Sequence, residues 1–134
     1  MTNILRSVVE LLGSAGDPAI GFEGSIDAAE AQAILNFTGR QYCLVREWII
    51  VEIDVTNEYR ADLATDGLSP FVLYAADVVL HSTGKRQPGD WVRSTYQTCF
   101  IPKHVFQTRN TTYMLVGPGS RKKATVETVM VIAE

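Results

Sequence analysis

Between Tyr42 and Val55 the chain carries a run of side chains that suits the interior of a β-sheet. Val45, Trp48, Ile49, Ile50, Val51, Ile53 and Val55 are β-branched or aromatic, and Glu47, Glu52 and Asp54 punctuate them. β-Branched side chains are stiff at χ1 and pack best on a pleated surface. The run predicts one long strand, or two strands with a bulge between them.

The flanking patterns fill in an α+β domain. Ile4, Leu5, Val8, Leu11 and Leu12 fall on one helical face, with Thr2 or Asn3 as cap and Gly13 as stop. Gly13 to Gly24 reads as a loop. Ser25 to Leu35 is alanine-rich and predicts a second helix, with Asp27 and Glu30 at capping-box spacing. Thr56 or Asn57 can cap a third helix that Gly67 ends. After Pro70 the pattern is β to the end, with strands over 71–80, 90–100, 105–117 and 126–133, and the Gly117-Pro-Gly-Ser-Arg-Lys-Lys stretch as a loop. The expectation is an antiparallel sheet of about five strands, meander-like in its second half, with two or three short helices mostly from the N-terminal half. With 134 residues, one domain over 1–134 is expected.

Charge is unevenly distributed. Residues 1–80 balance to −8, whereas residues 81–125 hold eight basic residues and one acid, Asp90, a balance of +7. That asymmetry suits either an anionic partner or two complementary halves of one fold. The first thirteen residues lack the basic start, long apolar stretch and small-residue cleavage site of a secretory signal, and no apolar run reaches membrane-span length. Cytoplasmic placement without membrane contact is expected. Cys43 and Cys99 both lie in apolar stretches and read as reduced core thiols.

Two middle segments are unusually polar: Arg93-Ser-Thr-Tyr-Gln-Thr and Gln107-Thr-Arg-Asn-Thr-Thr-Tyr. Period-two alternation puts Arg93, Thr95 and Gln97 on one face of their strand and Gln107, Arg109, Thr111 and Tyr113 on one face of theirs. Paired as a hairpin, the two strands would present one guanidinium- and hydroxyl-rich surface, suited to carboxylate, phosphate or a protein partner. Arg86 and the basic turn Arg121, Lys122 and Lys123 extend it. In Arg86-Gln-Pro-Gly-Asp-Trp, Pro88 and Gly89 make a turn, Asp90 fixes it, and Trp91 is expected in the core.

Catalytic and metal motifs are absent. His81 and His104 lack zinc-ligand spacing, Cys99 and His104 make a poor nucleophile pair, Glu52 and Asp54 fit an exposed strand as well as an acid/base pair, and neither GxSxG nor GxGxxG occurs. No cofactor is expected.

Gly89-Asp-Trp-Val-Arg-Ser-Thr, Phe106-Gln-Thr-Arg-Asn-Thr-Thr-Tyr and Gly117-Pro-Gly-Ser-Arg-Lys carry a resemblance. The stretch from Ala76 to Lys123 resembles a family of short bacterial and prophage proteins, a domain of unknown function. The resemblance implies a phage or mobile-element setting, where small folds act as stoichiometric inhibitors of host proteins.

The expected function is therefore non-catalytic binding, led by a protein–protein inhibitor acting through Arg93, Arg109, Tyr113 and Arg121. The alternatives are a nucleic-acid or nucleotide-phosphate binder using the basic 81–125 segment, and an enzyme of unfamiliar type. An exposed strand edge would also allow a homodimer.

Overall fold

The computed structural model describes residues 4–36, 39–98 and 104–132. Cys99 and the pairing considered for it lie outside the described residues.

In chain order the elements are α1 (Ile4–Gly13), β1 (Asp17–Ile20), α2 (Ile26–Asn36), β2 (Tyr42–Asp54), α3 (Asn57–Thr65), β3 (Leu68–Ser69), β4 (Phe71–His81), β5 (Val92–Arg93), β6 (Gln97–Thr98), β7 (Val105–Gln107), β8 (Thr112–Leu115), β9 (Pro118–Thr125) and α4 (Val126–Val131). The class is α+β. The first three helices begin and end close to where the sequence puts them. The α2 cap is Ser25, whose Oγ accepts the Ala28 N–H at 3.1 Å, rather than Asp27. Thr56 caps α3 by accepting the Tyr59 N–H at 3.1 Å.

β2 is the spine of a seven-stranded sheet. On one side β4 pairs with it antiparallel along most of its length. On the other side two strands share its edge in parallel: β8 along Tyr42–Val45 and β9 along Trp48–Asp54. Glu47 sits at the changeover with a left-handed φ of 52°. β1 extends the sheet beyond β9, β5 beyond β4, and β7 beyond β8.

Four sequence expectations are corrected. The sheet is mixed, not an antiparallel meander. The stretch 105–117 is a hairpin in itself, β7 against β8 with Gln107 opposite Thr112, so it does not pair with the segment carrying Arg93. Among the described residues that segment supplies two short strands, β5 on β4 and β6 on β3. The Gly117–Lys123 loop is the start of strand β9, because β8 leaves the second half of the β2 edge unpaired and its peptide groups need partners. The last expected strand is helix α4. β9 has already reached the end of β2 at Asp54–Thr125. The apolar run instead turns, with Thr125 Oγ1 accepting the Thr128 N–H at 3.2 Å, and buries Val129 and Ile132 over the sheet.

The sheet rolls. Val92 from one edge and Phe106 from the other bury their side chains in the same cluster as Cys43, Val45 and Leu73 of the central strands. Thr98 Oγ1, on the β6 strand that follows β5, donates to the Gln107 carbonyl of β7 at 3.3 Å. The opposite side is covered by helices. Leu11 of α1 and Val129 of α4 pack on Val51 and Ile53, and Ala29 and Ala33 of α2 pack on Leu44.

Candidate functional site

At one end of the rolled sheet the strands open into a cavity of about 420 Å³. Its floor is Cys43, Val92 and Tyr113. Its walls come from the start of β2 (Gln41), the end of β4 (His81), the β4–β5 turn (Lys85, Arg86), the segment after β5 (Ser94, Thr95) and the β7–β8 turn (Thr108, Asn110, Thr111). Open ends of rolled sheets are common ligand positions, because the strands fix the floor while loops supply polar groups.

The turn that carries Lys85 and Arg86 is built by local chemistry. Gly84 and Gly89 take left-handed φ values of 71° and 91°, which glycine adopts without Cβ strain. Asp90 Oδ2 accepts the Gln87 N–H at 2.8 Å, and Gln87 Nε2 donates to the Gly84 carbonyl at 3.2 Å. The lone carboxylate of the basic segment is thus committed to the turn. Among the described residues no Asp or Glu lines the cavity.

Its electrostatics are cationic. Burial holds the His81 imidazole below its ordinary pKa, and the Arg86 and Lys85 charges push the same way. His81 Nδ1 accepts the Thr83 N–H at 3.2 Å, so in that arrangement the ring proton is on Nε2. The Cys43 thiol is fully buried, and burial raises its pKa to about 12 against a smaller opposing pull from Arg86.

The eleven residues singled out from sequence divide among several places. Arg86, Arg93, Thr95, Thr111 and Tyr113 all line the mouth. The Arg93 guanidinium is nevertheless turned away. Arg93 Nε donates to the Ile132 carbonyl at the end of α4, at 2.6 Å, and Nη1 donates to the Ser94 carbonyl at 3.3 Å. Arg109 Nη2 donates to the carbonyl of Asp66 at the end of α3, at 3.0 Å. Gln97 is buried near the other end of the roll, and Gln107 lies half-buried in β7. Thr111 and Tyr113 are buried, not arrayed on an exposed face. The expected Arg93–Arg109 surface is therefore not formed. Trp91, expected in the core, is 40% exposed and stacks on Tyr74.

Arg121, Lys122 and Lys123 lie on β9 beside a larger cavity of about 820 Å³. Lys122 Nζ donates to the Leu11 carbonyl at 2.6 Å and to that of Ser14, at the end of α1, and burial lowers its pKa. This larger groove is the weaker anion site, because Glu10, Asp17 and Glu52 line it together with the three cations.

A pattern unites Arg93, Arg109 and Lys122. Among the described residues none of the four helices has a basic residue in its last turn. Sheet and turn residues far away in sequence supply cations to the carbonyl ends of α4, α3 and α1, where the helix dipole favours positive charge. Part of the basic segment thus serves the fold.

Gln41, Cys43, His81, Val92, Ser94, Thr108 and Asn110 line the mouth without having been singled out as binding residues from sequence, and Lys85 enters only through the basic 81–125 segment. Gln41 and Cys43 begin a core strand, and nothing in their spacing announces a cavity. The acid-poor composition around Lys85 and Arg86 was the available signal.

The family model described as "Domain of unknown function (DUF6957)" matches residues 20–131. The chain belongs to this family. The match includes every mouth-lining residue and all three sequence stretches that carried the resemblance, and it leaves α1 outside. No curated protein and no solved structure matches the chain. Among the described residues no helix is long and apolar enough to cross a membrane, and no group of three or more His, Cys, Asp or Glu could hold a metal ion.

Proposed function

We propose that this chain is a non-catalytic binding protein that holds a small, anion-bearing ligand of the phosphate class in the mouth of its rolled sheet. The observation that carries this reading is the lining: Lys85, Arg86 and His81 line a 420 Å³ cavity that, among the described residues, no carboxylate lines. A cavity lined by one sign of charge with low-dielectric walls concentrates counter-ions, and Arg presents a planar fork that matches phosphate oxygens. Its size falls within the roughly 300–1,000 Å³ usual for small-molecule pockets.

The protein-inhibitor reading was argued on Arg93 and Arg109 sharing a surface. With both guanidinium groups bonded to helix ends, that reading loses the surface on which it was argued. The nucleic-acid reading rests on the basic 81–125 segment, three of whose cations, Arg93, Arg109 and Lys122, hold main-chain carbonyls.

Thermal unfolding with inorganic phosphate at low salt tests the proposal. A ligand that binds only the native state stabilises it by RT ln(1 + [L]/Kd), so Tm should climb steadily with phosphate concentration. Lys85→Gln with Arg86→Gln should remove the climb, and 0.5 M NaCl should flatten it. A wild-type Tm indifferent to phosphate at low salt would refute the reading.

A further inference from the structure

The two walls of the mouth differ in chemistry, and that difference specifies more than an anion. One wall is the cationic β4–β5 turn. The facing wall comes from the β7–β8 turn, whose lining residues Thr108, Asn110 and Thr111 carry uncharged hydroxyl and amide groups, while the turn's own cation, Arg109, bonds the Asp66 carbonyl instead of lining the cavity. Gln41 Nε2 donates to the buried Thr111 Oγ1 at 2.7 Å, which fixes the amide at the rim and leaves its carbonyl and second N–H hydrogen for other bonds.

This second wall is braced. The fully buried Thr108 hydroxyl accepts the N–H groups of Asn110 and Thr111, at 3.3 and 3.1 Å, and donates to the Thr111 carbonyl. Arg40 Nη2 holds the Thr108 carbonyl at 3.0 Å, and Arg40 Nε donates to Thr112 Oγ1 at 3.3 Å. Hydrogen-bonding groups held in place before binding lose little entropy on meeting a ligand.

The floor sets a further limit. Cys43, Val92 and Tyr113 are 0, 2 and 7% exposed, so they present little apolar area and no open aromatic face. The stacked pair Tyr74 and Trp91 belongs to the helix-covered side of the sheet, where Tyr74 packs against the α1 and α4 cluster. Among the described residues a nucleobase would find no stacking platform in the mouth.

We infer that the mouth takes a phosphorylated polyol of the sugar-phosphate class, with its phosphate at Lys85 and Arg86 and its hydroxyl groups on Gln41 and Asn110, the buried Thr111 hydroxyl holding the Gln41 amide in place. The inference rests on the anion-site reading above and narrows it.

Isothermal titration of the full chain at low salt tests it with four probes: inorganic phosphate, ribose 5-phosphate, ribose and adenosine monophosphate. Ribose 5-phosphate should bind about tenfold or more tighter than inorganic phosphate, the yield of one or two added hydrogen bonds. Adenosine monophosphate should gain nothing over ribose 5-phosphate. Thr111→Val should erase the sugar preference while leaving phosphate affinity in place. Asn110→Ala, at the exposed tip of the turn, gives the same readout should Thr111→Val fail to fold. Equal affinity for phosphate and ribose 5-phosphate, or tightest binding of the nucleotide, would overturn this inference and leave the anion site standing. Binding of neither phosphate nor ribose 5-phosphate would overturn both.

Discussion

Arg93 Nε donates to the main-chain oxygen of Ile132 at 2.6 Å, tying edge strand β5 to the end of the final helix. The bond explains why an arginine occupies a two-residue strand next to a core valine. It also commits a cation that sequence patterning assigns to a partner.

Replacing Arg93 with alanine should therefore cost stability more than binding. Hydrogen bonds to a charged group contribute about 1.5–3 kcal/mol, and partial exposure here favours the low end. Urea unfolding should show a lower midpoint with an unchanged slope, and phosphate affinity within about twofold of wild type. An unchanged midpoint would mean the bond does not persist in solution.

Gly119 lies against the face of Trp48, and a Cβ built there falls well inside contact distance of three ring carbons. Trp48 is 2% exposed, so its ring is part of the packed core. Gly119→Ala should cost about 1–3 kcal/mol through overpacking. Gly84→Ala is the matched control. Nothing lies within 4 Å of its Cβ, so its cost of about 1–2 kcal/mol comes from the left-handed backbone alone. Chemical denaturation separates the two by structure as well: only Gly119→Ala should change tryptophan emission in the folded state.

Cys43 makes the fold sensitive to alkali. Its thiol titrates near 12 in the folded chain, above its ordinary value of 9.0. The unfolded state therefore loses the proton first. The stability from the buried neutral thiol is complete below about pH 9 and is lost as pH rises toward 12, at up to about 1.4 kcal/mol per pH unit. Cys43→Ala should flatten this limb of the stability profile. In a Cys99→Ser background, native Cys43 should also react with a thiol reagent far more slowly than the unfolded chain does.

His81 works in the acid direction. Its pKa is lowered in the folded state, so the unfolded chain takes up the proton first as pH falls. The stability from the neutral ring is present above about pH 6.5 and is lost as pH falls through the lowered value. His81→Gln should reduce that acid loss. A bound phosphate, facing the same ring as Lys85 and Arg86, should raise the His81 pKa, and proton NMR of the ring with and without phosphate measures the shift. A His81 titration that ignores saturating phosphate would place the ligand elsewhere.

Much of the local structure was legible because its causes are local. The helical stripe at Ile4, Val8 and Leu11, the cap at Thr56 and the stop at Gly67 each act within a few residues. The long strand of β2 was also legible, since β-branched density is a property of the run itself. The C-terminal third was not. Val126–Val131 has the composition of a strand and becomes a helix because β9 has already used the β2 edge. Pro118 and Gly119 have the composition of a loop and enter a strand. The antiparallel register places Pro118 opposite Ile20 and Gly119 beside Trp48, where the lack of a Cβ lets the indole in. The mouth was half legible: Arg86, Thr95, Thr111 and Tyr113 were singled out, but for a hairpin that does not form.

The sequence by itself determined an α+β class, one dominant core strand and a basic second half low in carboxylates, because propensity, capping and charge are carried by residues and their near neighbours. Tertiary structure alone decided which cations face solvent and which hold helix ends, because a guanidinium's partner is chosen by what packs beside it. The same packing rolled the sheet, bringing Gln41, Lys85 and Thr111, far apart along the chain, to the rim of one cavity.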